Sequence, residues 1–232
     1  MIALVLACTT TDPAVEKEDS HASDSVLHES AADSEDTTTD SDPDTAPTTD
    51  PFADVLVSFS PGEGAGYGQD QLPDVVLGSP EAPGNGGGSL DVLSLGREGE
   101  IILQFTDVLL MDGPGPDLLV FENPFTGWYE PGRVAISVDG LSWYEWPCDA
   151  ENAAEGYPGC AGVALVYANS SGEVDPTDPV AAGGDAFDLA DLGVDFLGQP
   201  IGYVRVRDAG VNDYSGTSGG FDLDAVAVVN AG

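Results

Sequence analysis

The sequence predicts an all-β fold, a sandwich or a barrel, for residues 51–232. From Asp54 onward, short runs rich in β-branched and aromatic residues recur about every ten residues, with Gly, Pro and Asp between them. Several runs alternate apolar and polar residues, which is the period of a half-buried strand. In one of them Val134, Ile136 and Val138 are expected inward, with Ala135 and Ser137 outward.

Ten runs meet these criteria, each bounded by turn residues. In chain order the predicted strands are 55–59, 74–77, 90–95, 100–105, 117–121, 133–138, 143–146, 163–167, 203–207 and 225–229. Only the stretch 186–192 suggests a helix. The chain has no repeating βαβ pattern, so a parallel α/β sheet is not expected.

The first eight residues are predicted to be the remnant of a signal peptide. Val5-Leu6-Ala7-Cys8 resembles the lipobox of bacterial lipoproteins, and this resemblance implies cleavage before Cys8 and diacylation of its thiol. A basic segment and a longer apolar core are missing, so we expect the natural start to lie further upstream.

Residues 9–50 are predicted to be a disordered acidic tether. They hold 13 of the 42 acids, both histidines and Lys17, but no aromatic residue. Such a stretch buries too little apolar surface to offset its ordering entropy. As a flexible coil it would span roughly 35 to 40 Å, enough to hold the domain away from a membrane surface.

The composition of residues 51–232 excludes several functions. Four arginines against 29 acids give a net charge of −25, which repels nucleic acid. Histidine and lysine are absent from this range, which excludes catalytic triads, zinc hydrolase motifs and lysine Schiff bases. A glycosidase needs only two carboxylates and is kept as the least favoured alternative. We therefore expect no enzyme.

Cys148 and Cys160 are predicted to form a disulfide. Turn residues surround both of them, and no histidine or further cysteine is present nearby to complete a zinc site. In an exported chain this spacing favours a bridge that closes a short loop.

Four segments resemble a family of predicted cell-surface proteins and lipoproteins of environmental bacteria. They are DGPGPDLLVFEN at 112–123, EPGRVAISVDGLSWYE at 130–145, GGDAFDLAD at 183–191 and GGFDLDAV at 219–226. The resemblance implies a jelly-roll β-sandwich of the galactose-binding or discoidin-like kind. It implies little about function, because a fold of this kind carries many unrelated sites.

Calcium is the metal that this composition suits, since it takes six to eight oxygen ligands. The turn from Asp112 to Asp117 places two carboxylates around exposed carbonyl groups, and Glu122 follows one short strand later. Asp222 and Asp224 lie two residues apart and therefore on one face of an extended chain. We predict that calcium joins these segments; alternatively the acids only shape turns and cap loops.

Aromatic side chains on loops are candidates for stacking on sugars. Trp128 and Tyr129 follow one predicted strand, while Trp143 and Trp146 lie close to the predicted disulfide. Planar rings of this kind stack on sugar faces when exposed and belong to the core when buried.

Three arginines, Arg133, Arg205 and Arg207, fall in or beside predicted strands. Pairing with nearby carboxylates is their expected use in so acidic a chain, with anion recognition as the alternative.

Together these features predict a monomeric jelly-roll β-sandwich on a lipidated tether at the bacterial cell envelope or cell surface. Its expected role is extracellular binding or adhesion, with carbohydrate as the favoured ligand and calcium as a structural ion. The alternative is a passive structural surface protein with no small ligand. Its expected partners are the membrane, through the lipid at Cys8 alone, and an extracellular glycan or surface polymer.

Overall fold

Two antiparallel β-sheets form the folded part of the chain. The computed structural model describes residues 49–81, 83, 87–123, 127–196, 198–212 and 219–232. The strands are β1 (Val55–Ser60), β2 (Leu93–Ser94), β3 (Glu100–Gln104), β4 (Leu118–Glu122), β5 (Gly132–Ser137), β6 (Tyr144–Glu145), β7 (Asp185–Phe187), β8 (Tyr203–Asp208) and β9 (Asp222–Val228). One sheet has the order β1-β3-β8-β5-β6 and the other the order β2-β9-β4-β7.

The strand pairing is that of a jelly roll. The pairs β2 with β9, β3 with β8, β4 with β7 and β5 with β6 are nested inside one another, as in a long hairpin, and they alternate between the two sheets. The additional pairs β4 with β9 and β5 with β8 join these nested pairs into the two sheets. Strand β1 is an addition at the edge, beside β3. The predicted jelly-roll β-sandwich is therefore confirmed.

The main core lies between the two sheets and follows the two-residue period of the strands. In β8, Val204 and Val206 are buried, while Tyr203, Arg205 and Arg207 alternate with them and are partly exposed. Strand β3 has the same pattern, with Ile101 and Leu103 in the core. Inward and outward positions on the five-stranded sheet are thus set by alternation.

A second hydrophobic layer covers the outer face of the four-stranded sheet. It packs residues of β4 and β9 against the segment before β1 and the long connection between β6 and β7. Its buried members are Phe52, Leu119, Phe121, Val166, Ala168, Ala182, Ala225 and Ala227. In the described chain, none of the buried hydrophobic clusters covers the outer face of the five-stranded sheet in this way.

Two predicted strands are wrong. Residues 74–77 form a short 3-10 turn, Asp74–Val76, directly after Pro73, and this turn packs Val75 and Val76 into the core. Residues 163–167 contribute only an isolated bridge, Val166 to Gly183. The carboxylate of Asp185 accepts hydrogen bonds from the N–H groups of Gly162, Val163 and Ala164, so a side chain replaces a strand partner there.

Smaller corrections concern the ends of elements. The predicted strand 90–95 is paired only over Leu93–Ser94, and Leu90 is exposed. Val138 lies beyond β5 and is partly exposed rather than inward, while Ala135 and Ser137 are buried. The stretch 186–192 is not an α-helix: β7 ends at Phe187, and a 3-10 turn follows at Leu189–Leu192.

The predicted disulfide is confirmed: Cys148 and Cys160 are bridged, with their Cα atoms 4.6 Å apart. Ala150 and Tyr157 are buried beside it. No helix in the described residues is long and apolar enough to cross a membrane. The predicted signal remnant, Cys8 and the predicted tether up to residue 48 lie outside the described residues.

Candidate functional site

Three arginines converge on the outer face of the five-stranded sheet. Arg207 in β8 lies opposite Glu100 in β3 on one side and Arg133 in β5 on the other. Arg205 lies opposite Ala135, which is itself paired with Glu145 of β6. We call the surface formed by Arg133, Trp143, Glu145, Arg205 and Arg207 the arginine face.

Glu145 is the anionic centre of the arginine face. Its carboxylate oxygens lie 3.4 Å from a terminal nitrogen of Arg205, 3.4 Å from one of Arg207 and 4.0 Å from one of Arg133. Glu100 adds a second carboxylate, 3.7 Å from Arg205 Nε. These distances are longer than those of a tight bidentate pair, so the guanidinium groups retain donor capacity.

Trp143 and Arg205 form a stacked pair on this face. The guanidinium carbon of Arg205 lies 4.8 Å from the centre of the Trp143 ring, which is within the range of a cation–π interaction. Because Tyr144 packs against the core and Phe196, its neighbour Trp143 points outward. The pair gives the face a planar, partly apolar element beside its charged groups.

A shallow depression of about 730 Å³ adjoins the arginine face. Arg133, Glu145 and Asp149 supply its charged groups, while Pro147, Cys148 and Pro158 form apolar parts of its wall. Arg133 also donates a hydrogen bond to the carbonyl of Cys148 at 3.1 Å. Hence the disulfide-closed loop shapes one side of the depression, which falls in the size range of small-ligand sites.

The four aromatic residues predicted to bind ligand differ in their burial and in their contacts. Trp146 is 4 % exposed, packs on Phe187 and donates its ring N–H to the carbonyl of Asp188, and it also forms part of the wall of the depression. Tyr129 makes an edge contact with the buried ring of Tyr157. Trp128 is 56 % exposed, and it is Trp143 that stands on the arginine face.

Asp112, Asp117 and Asp188 form a carboxylate group that could hold a metal ion, with one oxygen of each within 4.8 Å of the others. Asp117 is fully buried and accepts hydrogen bonds from the N–H of Gly113, the N–H of Leu189 and the amide of Asn230. These donors fix the turn that precedes β4. They also offset part of the cost of burying the carboxylate.

Asp188 was missed by the sequence reasoning. It follows β7, which pairs with β4, so its position beside Asp117 depends on that pairing. The sequence signal that it does carry is a cap: its carboxylate accepts the N–H of Ala190 at the start of a 3-10 turn. A capping aspartate is too common to identify a metal ligand by itself.

Glu122 lies at the opposite end of β4 from Asp117, so the five predicted calcium ligands do not form one site. The last strand does contact Glu122, because the N–H of Asp222 donates a hydrogen bond to a carboxylate oxygen of Glu122 at 3.3 Å. Asp224 belongs to neither group, since its carboxylate accepts the N–H of Glu81.

Burial raises the pKa of several of these acids. The pKa of Glu122 lies well above its ordinary value because the carboxyl is buried and faces the negative charges of Asp222, Glu130 and Asp185. Burial raises the pKa of Asp185 to about 7 and that of Asp224 to about 8. The pKa of Asp222 is also raised by burial, against a hydrogen bond from Ser94 that lowers it. Glu122, Asp185 and Asp224 therefore hold protons well above the pH at which ordinary carboxyls ionise.

No protein-family model matches the chain, and comparisons with curated proteins and with solved structures yield no match either. The features of the described residues that bear on function are therefore the arginine face and the carboxylate group of Asp112, Asp117 and Asp188.

Proposed function

We propose that this chain is a non-catalytic extracellular binding module that recognises carbohydrate on the arginine face. The observation that carries the proposal is the stacked pair of Trp143 and Arg205 on a sheet face that none of the hydrophobic clusters of the described residues covers. Sugars are bound by planar groups that cover their apolar faces and by charged side chains that bond their hydroxyls.

The two sheet faces differ in a way that supports this role. The outer face of the four-stranded sheet is closed by its own hydrophobic layer, whereas the outer face of the five-stranded sheet carries polar side chains on paired strands. Side chains mounted on strands are held more rigidly than side chains on loops. The adjoining depression gives a polysaccharide a second point of attachment.

A glycan array followed by calorimetric titration tests this proposal. We expect the soluble full chain, carrying Cys8→Ser, to bind a subset of glycans with the weak affinity of a shallow site. Trp143→Ala should weaken that binding about tenfold, because it removes the stacking partner. Leu141→Ala is a matched control, since Leu141 is 84 % exposed and lies two residues away. An array with no binding above background contradicts the proposal.

Calcium is the ion that we assign to the group of Asp112, Asp117 and Asp188. Carboxylate oxygens are hard ligands, and calcium accepts them in flexible geometry together with backbone carbonyls and water. The role we give this ion is structural, because it would link the turn before β4 to the segment after β7. Titration with calcium in a calorimeter should show one site, and Asp188→Asn should weaken it.

We further propose that the protein is lipid-anchored at the bacterial cell envelope through Cys8. The disulfide indicates an oxidising compartment outside the cytoplasm, and the lipobox-like sequence supplies a thiol for acylation. A single acyl chain binds a membrane only weakly, so stable anchoring needs the several chains that a diacylated N-terminal cysteine carries. The exported protein should partition into detergent phase, and Cys8→Ser should move it to the aqueous phase. Equal partitioning of both forms contradicts the anchor.

A further inference from the structure

We infer that the ligand of the arginine face is an acidic polysaccharide, bound through its carboxylate or sulfate groups. This inference rests on the proposed function and narrows it to one class of carbohydrate. It starts from the charge balance around Glu145, where one carboxylate lies within 4.0 Å of three guanidinium groups.

Among the groups paired within 4.0 Å, the arginine face holds one more guanidinium than carboxylates, in a domain whose net charge is −25; Asp149 adds a further carboxylate in the adjoining depression. Arg133, Arg205 and Arg207 outnumber Glu145 and Glu100, the two carboxylates that pair with them. Only one other arginine, Arg97, is present in residues 51–232. Three of the four arginines in this range thus lie together on the arginine face.

The cross-strand register makes this gathering costly without an added anion. Arg133 and Arg207 lie directly opposite each other on neighbouring strands, and like charges in that position repel. Glu145 relieves the repulsion in part, at distances of 3.4 to 4.0 Å. A second anion placed over the three guanidinium groups would complete the neutralisation and would use the donors that Glu145 leaves available.

The rest of the site fits a sugar rather than a free anion. The ring of Trp143 lies under Arg205, so an anionic group bonded to that guanidinium would lie beside a stacking surface. The depression beside Arg133 extends the site along the sheet edge, where the next residue of a polymer can lie. A polymer with regularly spaced anions also gains avidity from repeated contacts.

The experiment compares polymers that differ only in charge. Probes are polygalacturonate against its fully methyl-esterified form, and dextran sulfate against dextran, measured by calorimetry in chelator so that calcium cannot bridge acidic protein and acidic polymer. The soluble full chain should bind at least one acidic polymer about tenfold more tightly than its neutral counterpart. The two acidic arms show whether the recognised group is carboxylate or sulfate.

Three variants locate the binding. Arg207→Gln should weaken acidic-polymer binding about two- to fivefold, the usual size of one exposed charge contact. Arg97→Gln removes the same charge at an exposed arginine that is not one of the residues of the arginine face, and it should change nothing. Glu145→Gln removes the competing carboxylate and should tighten binding.

The outcomes separate this inference from the proposed function. Equal affinity for charged and neutral polymers, or binding of neutral glycans alone, overturns the acidic ligand but leaves carbohydrate binding in place. Equal weakening by Arg207→Gln and Arg97→Gln also overturns it, because the effect would then come from net charge. Failure to bind any of these polymers, together with an empty glycan array, overturns both.

Discussion

Single carboxylates hold the loops of this domain in place. Asp208 accepts hydrogen bonds from the N–H groups of Glu98, Gly210 and Phe221, at 2.7 to 2.9 Å. Asp185 binds three consecutive N–H groups of the chain that crosses above β7. Glu122 differs, because one of its buried oxygens has no hydrogen-bond partner in the described chain. Burial therefore favours the protonated form of Glu122 more strongly than it would if both oxygens had donors.

The raised pKa values predict that acid stabilises the fold. Asp185 and Asp224 titrate near 7 and 8 in the folded state, while the unfolded chain loses these protons near pH 4. Between these limits the folded state binds more protons, so stability falls as pH rises, by up to about 1.4 kcal/mol per pH unit for each group. The contribution is complete below pH 4 and is lost once pH passes 8.

Melting temperatures at pH 5, 7 and 9 test this pH dependence. The melting temperature should fall from pH 5 to pH 9, and Asp224→Asn should reduce that fall, because a neutral amide cannot ionise. Asp54→Asn is a control at a partly buried acid that lies outside the group of buried carboxyls. A melting temperature that is constant or rises with pH would contradict the protonated state of these groups.

Gly132 is required for close packing at the start of β5. A Cβ atom there would lie 2.4 Å from Cδ2 of Phe221, whose ring is fully buried. Gly132→Ala should therefore destabilise the fold by about 1 to 3 kcal/mol, as overpacked cores do. Gly66→Ala is the matched control, because a Cβ at that position meets no atom within 4 Å. Denaturant unfolding of the two variants should separate them, and equal midpoints would refute the packing argument.

At the scale of elements, strands β3, β5 and β8 begin and end within one residue of the prediction. Buried and partly exposed residues alternate along β3 and β8, as the sequence pattern predicts. Residues 134–137 of β5 are all buried, so the predicted outward positions of this strand are wrong although its bounds are right. The run at 163–167 has the composition of a strand, but Asp185 satisfies its backbone from a distant part of the chain. Such a contact depends on the tertiary fold and leaves no local pattern to read.

The loop closed by Cys148 and Cys160 is the element most dependent on a covalent bond. It contains only a short 3-10 turn, Ala153–Glu155, and a small cluster around Ala150 and Tyr157. A loop of this length gains about 2 to 3 kcal/mol from its bridge in the chain-entropy model. The double variant Cys148→Ser/Cys160→Ser should lose that much stability.

The same double variant should also weaken glycan binding, even at temperatures where its two sheets remain folded. The loop forms one wall of the depression, and Arg133 bonds to the carbonyl of Cys148. Unfolding followed by circular dichroism gives the stability, and calorimetry gives the affinity. Wild-type affinity in the folded double variant would show that the loop plays no part in binding.

For the whole molecule, the candidate sites show what local sequence can and cannot predict. Asp112 and Asp117 were found because one turn carries both, whereas Asp188 joins them only through the pairing of β4 and β7. Arg205 and Arg207 share a face by alternation alone, but the position of Arg133 opposite Arg207 follows from the register of β5 with β8. Residue types and spacing predict the parts of a site, and strand register assembles them.

The net charge of the domain predicts how ions affect its stability. A charge of −25 on residues 51–232 raises the free energy of the compact state. Sodium chloride should therefore raise the melting temperature gradually, through screening. Calcium at the group of Asp112, Asp117 and Asp188 should add a further rise at low concentration, because a ligand that binds only the folded state stabilises it by about 2.7 kcal/mol at 100 times its dissociation constant.

Thermal melts of the soluble full chain in chelator, calcium, magnesium and sodium chloride separate these two effects. Calcium should exceed magnesium and sodium chloride at matched ionic strength, since magnesium demands a stricter geometry than three carboxylates on two loops supply. Asp188→Asn should abolish the extra rise with calcium and preserve the rise with sodium chloride. Asp178→Asn, at an acid outside this group, should preserve both. If calcium and sodium chloride act equally on the wild type, the three carboxylates hold no specific ion and serve only to fix the turns around β4 and β7.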